Sequence, residues 1–265
     1  MTDREIYPNP PVVLVAVELR HPVGEPLDAP AQVKLKRLMA DRAPVHKTAT
    51  FVDVQAVVGT DAQLSHEQAP RFLSRDRTLA VSFRREAITV ETTAYRHWED
   101  LREVVELAIT ARHQVAPLAG IERLGLRYID EIRVPTDNAE QSTSWAEWVD
   151  ASLLPPAGHD LVPSLRSTQW QGVTLFENGP ERFVGLRHGC AVGYAVNPDG
   201  ELARNQPPPG PYFLIDIDSF WSPAEVPELD IQKILSAANE LHTPIRALFE
   251  SLITERLRRE VLRHV

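Results

Sequence analysis

Tyr212-Phe213-Leu214-Ile215-Asp216-Ile217-Asp218-Ser219-Phe220 puts Phe213, Ile215 and Ile217 on one side of an extended chain, and Tyr212, Leu214, Asp216 and Asp218 on the other. Successive side chains of a β-strand point to opposite faces, so this segment reads as a strand with one face in a core and one face polar. Half-buried strands of that kind belong to antiparallel sheets, whereas parallel strands, covered on both faces, read as unbroken apolar runs.

The same alternation recurs elsewhere. Val13, Val15, Val17 and Leu19 oppose Leu14, Ala16, Glu18 and Arg20 in Val12 to Arg20. In Arg123 to Val134, Leu124, Leu126, Tyr128, Asp130 and Ile132 oppose Arg127, Ile129, Glu131 and Arg133. Further strands are expected at Thr50 to Val58, Arg71 to Ser74, Thr78 to Arg84, Ala87 to Tyr95, Ser167 to Glu177, Arg182 to His188 and Cys190 to Val196, with Asn178-Gly179 and Pro198-Asp199-Gly200 marking turns. Helical spacing of apolar residues predicts helices over Ala31 to Asp41, Glu99 to Val115 and around Ser144 to Leu153. A longer one runs from Ile231 to Leu252, with a kink or restart at Pro244 that Thr243 caps.

The predicted fold class is α+β: an antiparallel sheet built from two β-α-β4-α halves, residues 1–118 and 119–265, with helices packed on one face and a long C-terminal helix. Repetition at this scale suggests an internal duplication within one continuous unit; no residue-level identity accompanies it, so chance recurrence of strand counts stays open. The order taken twice resembles the fold of the TATA-binding protein, in topology alone. A second resemblance rests on Tyr7-Pro8-Asn9-Pro10-Pro11, on Leu126-Arg127-Tyr128-Ile129-Asp130-Glu131-Ile132, and on the stretch from Leu241-His242 through Phe249 to Ile253-Thr254. These look like a sporadically distributed bacterial family spanning about this whole length. That resemblance implies a bacterial origin and a single continuous unit, and it brings no catalytic residues with it.

Composition narrows the function. Acidic side chains outnumber basic ones 37 to 28, which argues against nucleic acid as the primary ligand, since phosphate binding draws on a surplus of Lys and Arg. The longest apolar run, Val12 to Val17, is too short to span a bilayer, so no membrane partner is expected. One cysteine excludes an intramolecular disulfide and fits a reducing, cytoplasmic setting, and the opening residues do not read as a secretory signal. No Gly-rich phosphate loop, Gly-x-Ser-x-Gly elbow or zinc-spaced histidine pair occurs, so neither a cofactor nor a metal is assigned and no residue is designated catalytic. Cys190 reads as an inert thiol.

What remains is a list of ligand or partner candidates. Asp216 and Asp218 share a strand face, Glu18, Arg20 and Arg127 lie on polar faces of other strands, and Asp130 meets the paired acids if its strand is their neighbour. Cross-strand ion pairing is the plainer reading of all of these. Trp170 and Trp221, with Trp145 and Trp148, either line a cleft or fill the core. An exposed Leu257, Val261 and Leu262 would mark a protein interface. The expected function is a non-catalytic binding or regulatory module engaging a protein partner or a second copy of itself. A small-molecule binder with an aromatic cavity between sheet and helices fits the sequence equally well. The alternative is a metal-dependent enzyme in which Glu18, Asp130, Asp216 and Asp218 hold a divalent ion and Arg127 neutralises an anionic substrate.

Overall fold

The computed structural model describes residues 6–55, 63–135, 144–155 and 169–264. Nine strands form one antiparallel sheet: β1 (Val12–Arg20), β2 (Val45–Gln55), β3 (Gln63–Leu73), β4 (Leu79–Phe83), β5 (Ala87–Thr92), β6 (Arg123–Ile132), β7 (Trp170–Glu177), β8 (Arg182–Gly193) and β9 (Gly210–Trp221). Their order across the sheet is β2-β3-β4-β5-β1-β6-β9-β8-β7. β1 and β6 are therefore neighbours near the middle, with Val17 opposite Leu126, and each is flanked outwardly by a strand that follows it by some distance in the chain, β5 beside β1 and β9 beside β6.

Three helices follow from local signals. α1 (Ala29–Leu38) starts where Asp28 accepts a hydrogen bond from the Ala31 amide and Pro30 occupies the first turn, where a missing N–H costs nothing. α2 (Trp98–Val115) buries Leu101, Val104, Val105, Ala108 and Ile109. α3 (Ile231–Leu252) begins at Asp230, whose side chain accepts from the amides of Gln232 and Lys233, and it runs on through Pro244 as one helix. The expected restart is not made, and Thr243 does not cap: its hydroxyl donates to the Asn239 carbonyl one turn back.

Val15, Val17 and Leu19 of β1, Leu124, Leu126 and Ile132 of β6, and Phe213, Ile215 and Ile217 of β9 share one core with α2 and α3. Glu18, Arg20, Arg123, Arg127, Asp216 and Asp218 of the same strands lie on the opposite face. The loop between β8 and β9 straps across that face. Its Ala195 amide donates to Glu131, Arg204 pairs with Glu131 at 3.6 Å, and Glu201 pairs with Lys47 and, at 2.8 Å, with Arg71.

Several expectations need correcting. β3 extends well beyond Arg71 to Ser74, because polar residues such as His66, Glu67 and Gln68 pair along β2, and Pro70 sits just outside the Arg71–Leu73 stretch that also bonds β4. The two strands expected at Arg182 to His188 and Cys190 to Val196 are one strand, β8. Gly189 lies inside it with a φ of +156°, and a Cβ there would come 2.1 Å from the Trp170 carbonyl oxygen, so only glycine lets β7 approach. Ser144 to Leu153 holds two single 3-10 turns, Trp145–Glu147 and Ala151–Leu153, in place of a helix. Residues 56–58 and 167–168, the ends of two expected strands, lie outside the described residues.

Candidate binding cleft

On the strapped face, register decides which charges meet. β6 and β9 pair with Arg127 opposite Asp218 and Ile129 opposite Asp216. Arg127 reaches diagonally and grips Asp216 with two parallel bonds, Nε to Oδ1 at 2.8 Å and Nη2 to Oδ2 at 2.6 Å. Arg123 binds Asp218 at 2.8 Å and Glu18 at 3.4 Å, and Arg20 closes on Glu18 at 2.8 Å. Burial pushes the Asp218 carboxyl up, opposed by Arg123 and Arg127. Further along, Arg71 donates to Ser82 and Glu91, both at 2.7 Å. Five of the sequence candidates, Glu18, Arg20, Arg127, Asp216 and Asp218, are thus taken up, with Arg123, in ion pairs on one face of the sheet, cross-strand except for Arg20 with Glu18. Among the described residues, no group of three or more His, Cys, Asp or Glu side chains is placed to hold a metal ion.

The tryptophan candidates go elsewhere. Trp170 packs edge-on against Phe213 at 5.6 Å and His188 at 5.5 Å, and Trp221 packs partly buried against the core. Trp145 and Trp148 are buried in it. Cys190 is half-buried, and burial pushes its thiol up, away from nucleophilic character. Leu257 and Leu262 are fully buried and Val261 packs against the core, so the C-terminal segment offers no apolar row to a partner.

Asp130 stands apart. Its place in the alternation turns it to the helix side of the sheet, where it is 6% exposed and lines a cleft of about 580 Å³. The cleft is walled by β6, the start of α2, the second half of α3 and the segment from Ile6 to Val12. Trp98 stacks on His242 at 4.9 Å, Tyr128 lies 6.0 Å from His242, and Tyr95 meets Tyr128 edge-on at 5.1 Å. Trp98 is fixed by a 2.7 Å bond from its indole nitrogen to Asn239, and the Tyr95 hydroxyl approaches His242 Nε2 at 3.4 Å. Tyr7 closes one side by donating to Glu250 at 2.9 Å, and burial pushes its hydroxyl up to about 12. Asn9 bonds the carbonyls of Leu262 and Val261, at 3.0 and 3.1 Å, which pins this segment to the end of the fold.

Among the described residues, nothing donates a hydrogen bond to the Asp130 carboxyl and no cation pairs with it. Removal from water raises its pKa to about 8, helped by the negative charge of Asp216 across the sheet. The same burial holds the Tyr128 hydroxyl well above its usual range. A buried acid without a partner costs stability, and clefts are where such groups are retained for use. Tyr7, Tyr95, Trp98, Tyr128 and His242 were not singled out by sequence reasoning. Their signal was Asp130 itself, one acid in an otherwise apolar strand face.

Segments far apart in the chain contribute walls to this cleft, among them Tyr7, Tyr128, Asp130, His242 and Phe249. No model of a known protein family and no curated protein matches the chain in sequence. Among the described residues, no helix is long and apolar enough to cross a membrane.

Two outcomes follow from these pairings. Arg127→Ala strands the Asp216 carboxylate, whose side chain is only 5% exposed, and lowers the unfolding free energy by about 2 kcal/mol. Arg127→Met combined with Asp216→Leu restores most of that in urea titrations. The unfolded Asp130 carboxyl loses its proton near pH 4, at about 3.9, while the folded one keeps it to about 8. Its contribution to stability is therefore whole below pH 4 and drains away as pH rises to about 8. Asp130→Asn is then nearly neutral at pH 4 and stabilising by roughly 2 to 4 kcal/mol at pH 8; a difference that does not change with pH would show the wild-type carboxyl already ionised.

Proposed function

We propose that this chain is a non-catalytic binding module of the cytoplasm, and that its ligand is a small molecule seated in the cleft behind the sheet. The observation that carries the reading is Asp130, a carboxyl 6% exposed, facing the cleft with no partner among the described residues. Of the acids weighed for a metal-dependent enzyme, Glu18, Asp216 and Asp218 are held by arginines on the other face, so the ionic ladder serves the sheet. A concave site of this volume with aromatic walls and few inward polar groups suits a small organic ligand. The strand order, with β5 beside β1 and β9 beside β6, agrees with a pseudo-duplicated unit of the kind seen in the TATA-binding protein, which would place the cleft beside the central strands of both halves.

A fragment set of aromatic cations, neutrals and anions followed by ligand-observed NMR tests the reading. Hits are expected to vanish in Ala94→Trp, which fills the cleft, and to survive Asp218→Asn on the strapped face. Hits that ignore Ala94→Trp and disappear with Asp218→Asn would move the site to the ionic face.

A second reading, self-association, has its own observation. Edge strand β7 exposes Val173 at 70%, Leu175 at 63% and Phe176 at 42%, an apolar edge, unpaired among the described residues, of the sort that adds a strand from a second copy. Sedimentation equilibrium is expected to give a dimer mass that Leu175→Lys reduces to the monomer; a monomer in the wild type removes this reading.

A further inference from the structure

We infer that the cleft takes an organic ammonium, its cationic head against the Asp130 carboxyl and its body among the rings of Trp98, Tyr95 and Tyr128. The inference rests on the cleft being the binding site and names the chemistry of its occupant.

Three features converge on a cation. Asp130 is the buried acid of the cleft, and the charge that bears on its ionisation is Asp216, a second anion. Asp216 is already held by Arg127 on the far side of the sheet, and among the described residues no cation answers Asp130. Aromatic rings stand in the walls of the same cleft: Tyr128 sits two residues before Asp130 on the same face of β6, Tyr95 stands edge-on to Tyr128, and Trp98 stacks on His242. Ring faces attract a desolvated cation, and a carboxylate at the base of such a cage supplies the opposite charge. Electrostatics then work in the ligand's favour. An arriving ammonium supplies the stabilisation that the ionised carboxyl lacks, so binding displaces the Asp130 proton and tightens as that proton is lost.

Other charged and titratable groups line the same cleft: Arg96, His97 and Glu99 from the start of α2, Arg246, Glu250 and His242 from α3, and Tyr7 from the incoming segment. Their charges also bear on a bound cation. The test must therefore separate them from Asp130.

Benzyltrimethylammonium is permanently charged, so any pH dependence of its binding belongs to the protein. Calorimetric titration at about pH 6, 7 and 8 is expected to show roughly tenfold tighter binding for each pH unit up to 7, flattening past 8. Asp130→Asn is expected to bind at least tenfold more weakly at pH 8 and to lose the pH trend, with an unchanged circular dichroism spectrum. A trend that persists in Asp130→Asn assigns it to another group of the cleft and overturns the inference. Benzyl alcohol binding more tightly as pH falls would show a neutral Asp130 donating to an acceptor, and preference for benzoate would show an anion site. Either overturns the ammonium and leaves the cleft as the site. Failure of all three probes to bind removes the cleft reading with it.

Discussion

Where β1 and β6 lie side by side near the centre of the sheet, every residue is committed to one of two environments. Val15, Val17, Leu124 and Leu126 face helices α2 and α3, and Glu18, Arg123 and Arg127 face the strapped side. A slip of one residue would exchange the two sets, burying charges and exposing the core, so the register is fixed by the hydrophobic effect before any ion pair forms. The arginine and carboxylate ladder is a consequence of this. Once the pleat has placed opposite charges on one face of neighbouring strands, diagonal pairs such as Arg127 and Asp216 assemble at little further cost.

Against that background Asp130 is the exception. The rule that turns Leu124, Leu126 and Ile132 toward the core turns Asp130 there too, and among the described residues no neighbouring side chain compensates it. A protein interior tolerates such a group only if the surrounding fold is stable enough to carry the penalty. The cleft walls explain how the carboxyl stays accessible: α3 and the segment pinned by Tyr7 and Asn9 leave a gap over the middle of the sheet where close packing would otherwise exclude it.

Much of this was legible in the sequence. The alternation in Val12 to Arg20, Arg123 to Val134 and Tyr212 to Phe220 identifies the central strands and their faces, and Arg127 meets the paired acids as expected of sheet neighbours. Asp130 was named as a candidate, but grouped with those acids, because spacing shows which residues share a face and not which face looks onto a gap. The cleft itself is built from segments far apart in the chain, Tyr7, Tyr95, Tyr128 and His242, and no local pattern unites them. The tryptophans misled for a related reason. A large ring suits a core and a pocket equally, and only tertiary packing sends Trp98 to the cleft and Trp145 and Trp148 to the interior. β3 was cut short because its polar residues and Pro70 hide a strand whose pairing is supplied by β2.

The position of β1 carries a consequence for synthesis. Its partners are β5 and β6, so Val17 must wait for Val90 and Leu126 before either of its edges is satisfied. On the ribosome, the apolar run from Val12 to Val17 emerges before β2, β3 and β4 and waits without a neighbour while they follow it out. Pairing across such intervals is slow, and in that window the run is the segment most exposed to chaperone capture or to misassembly with another nascent chain.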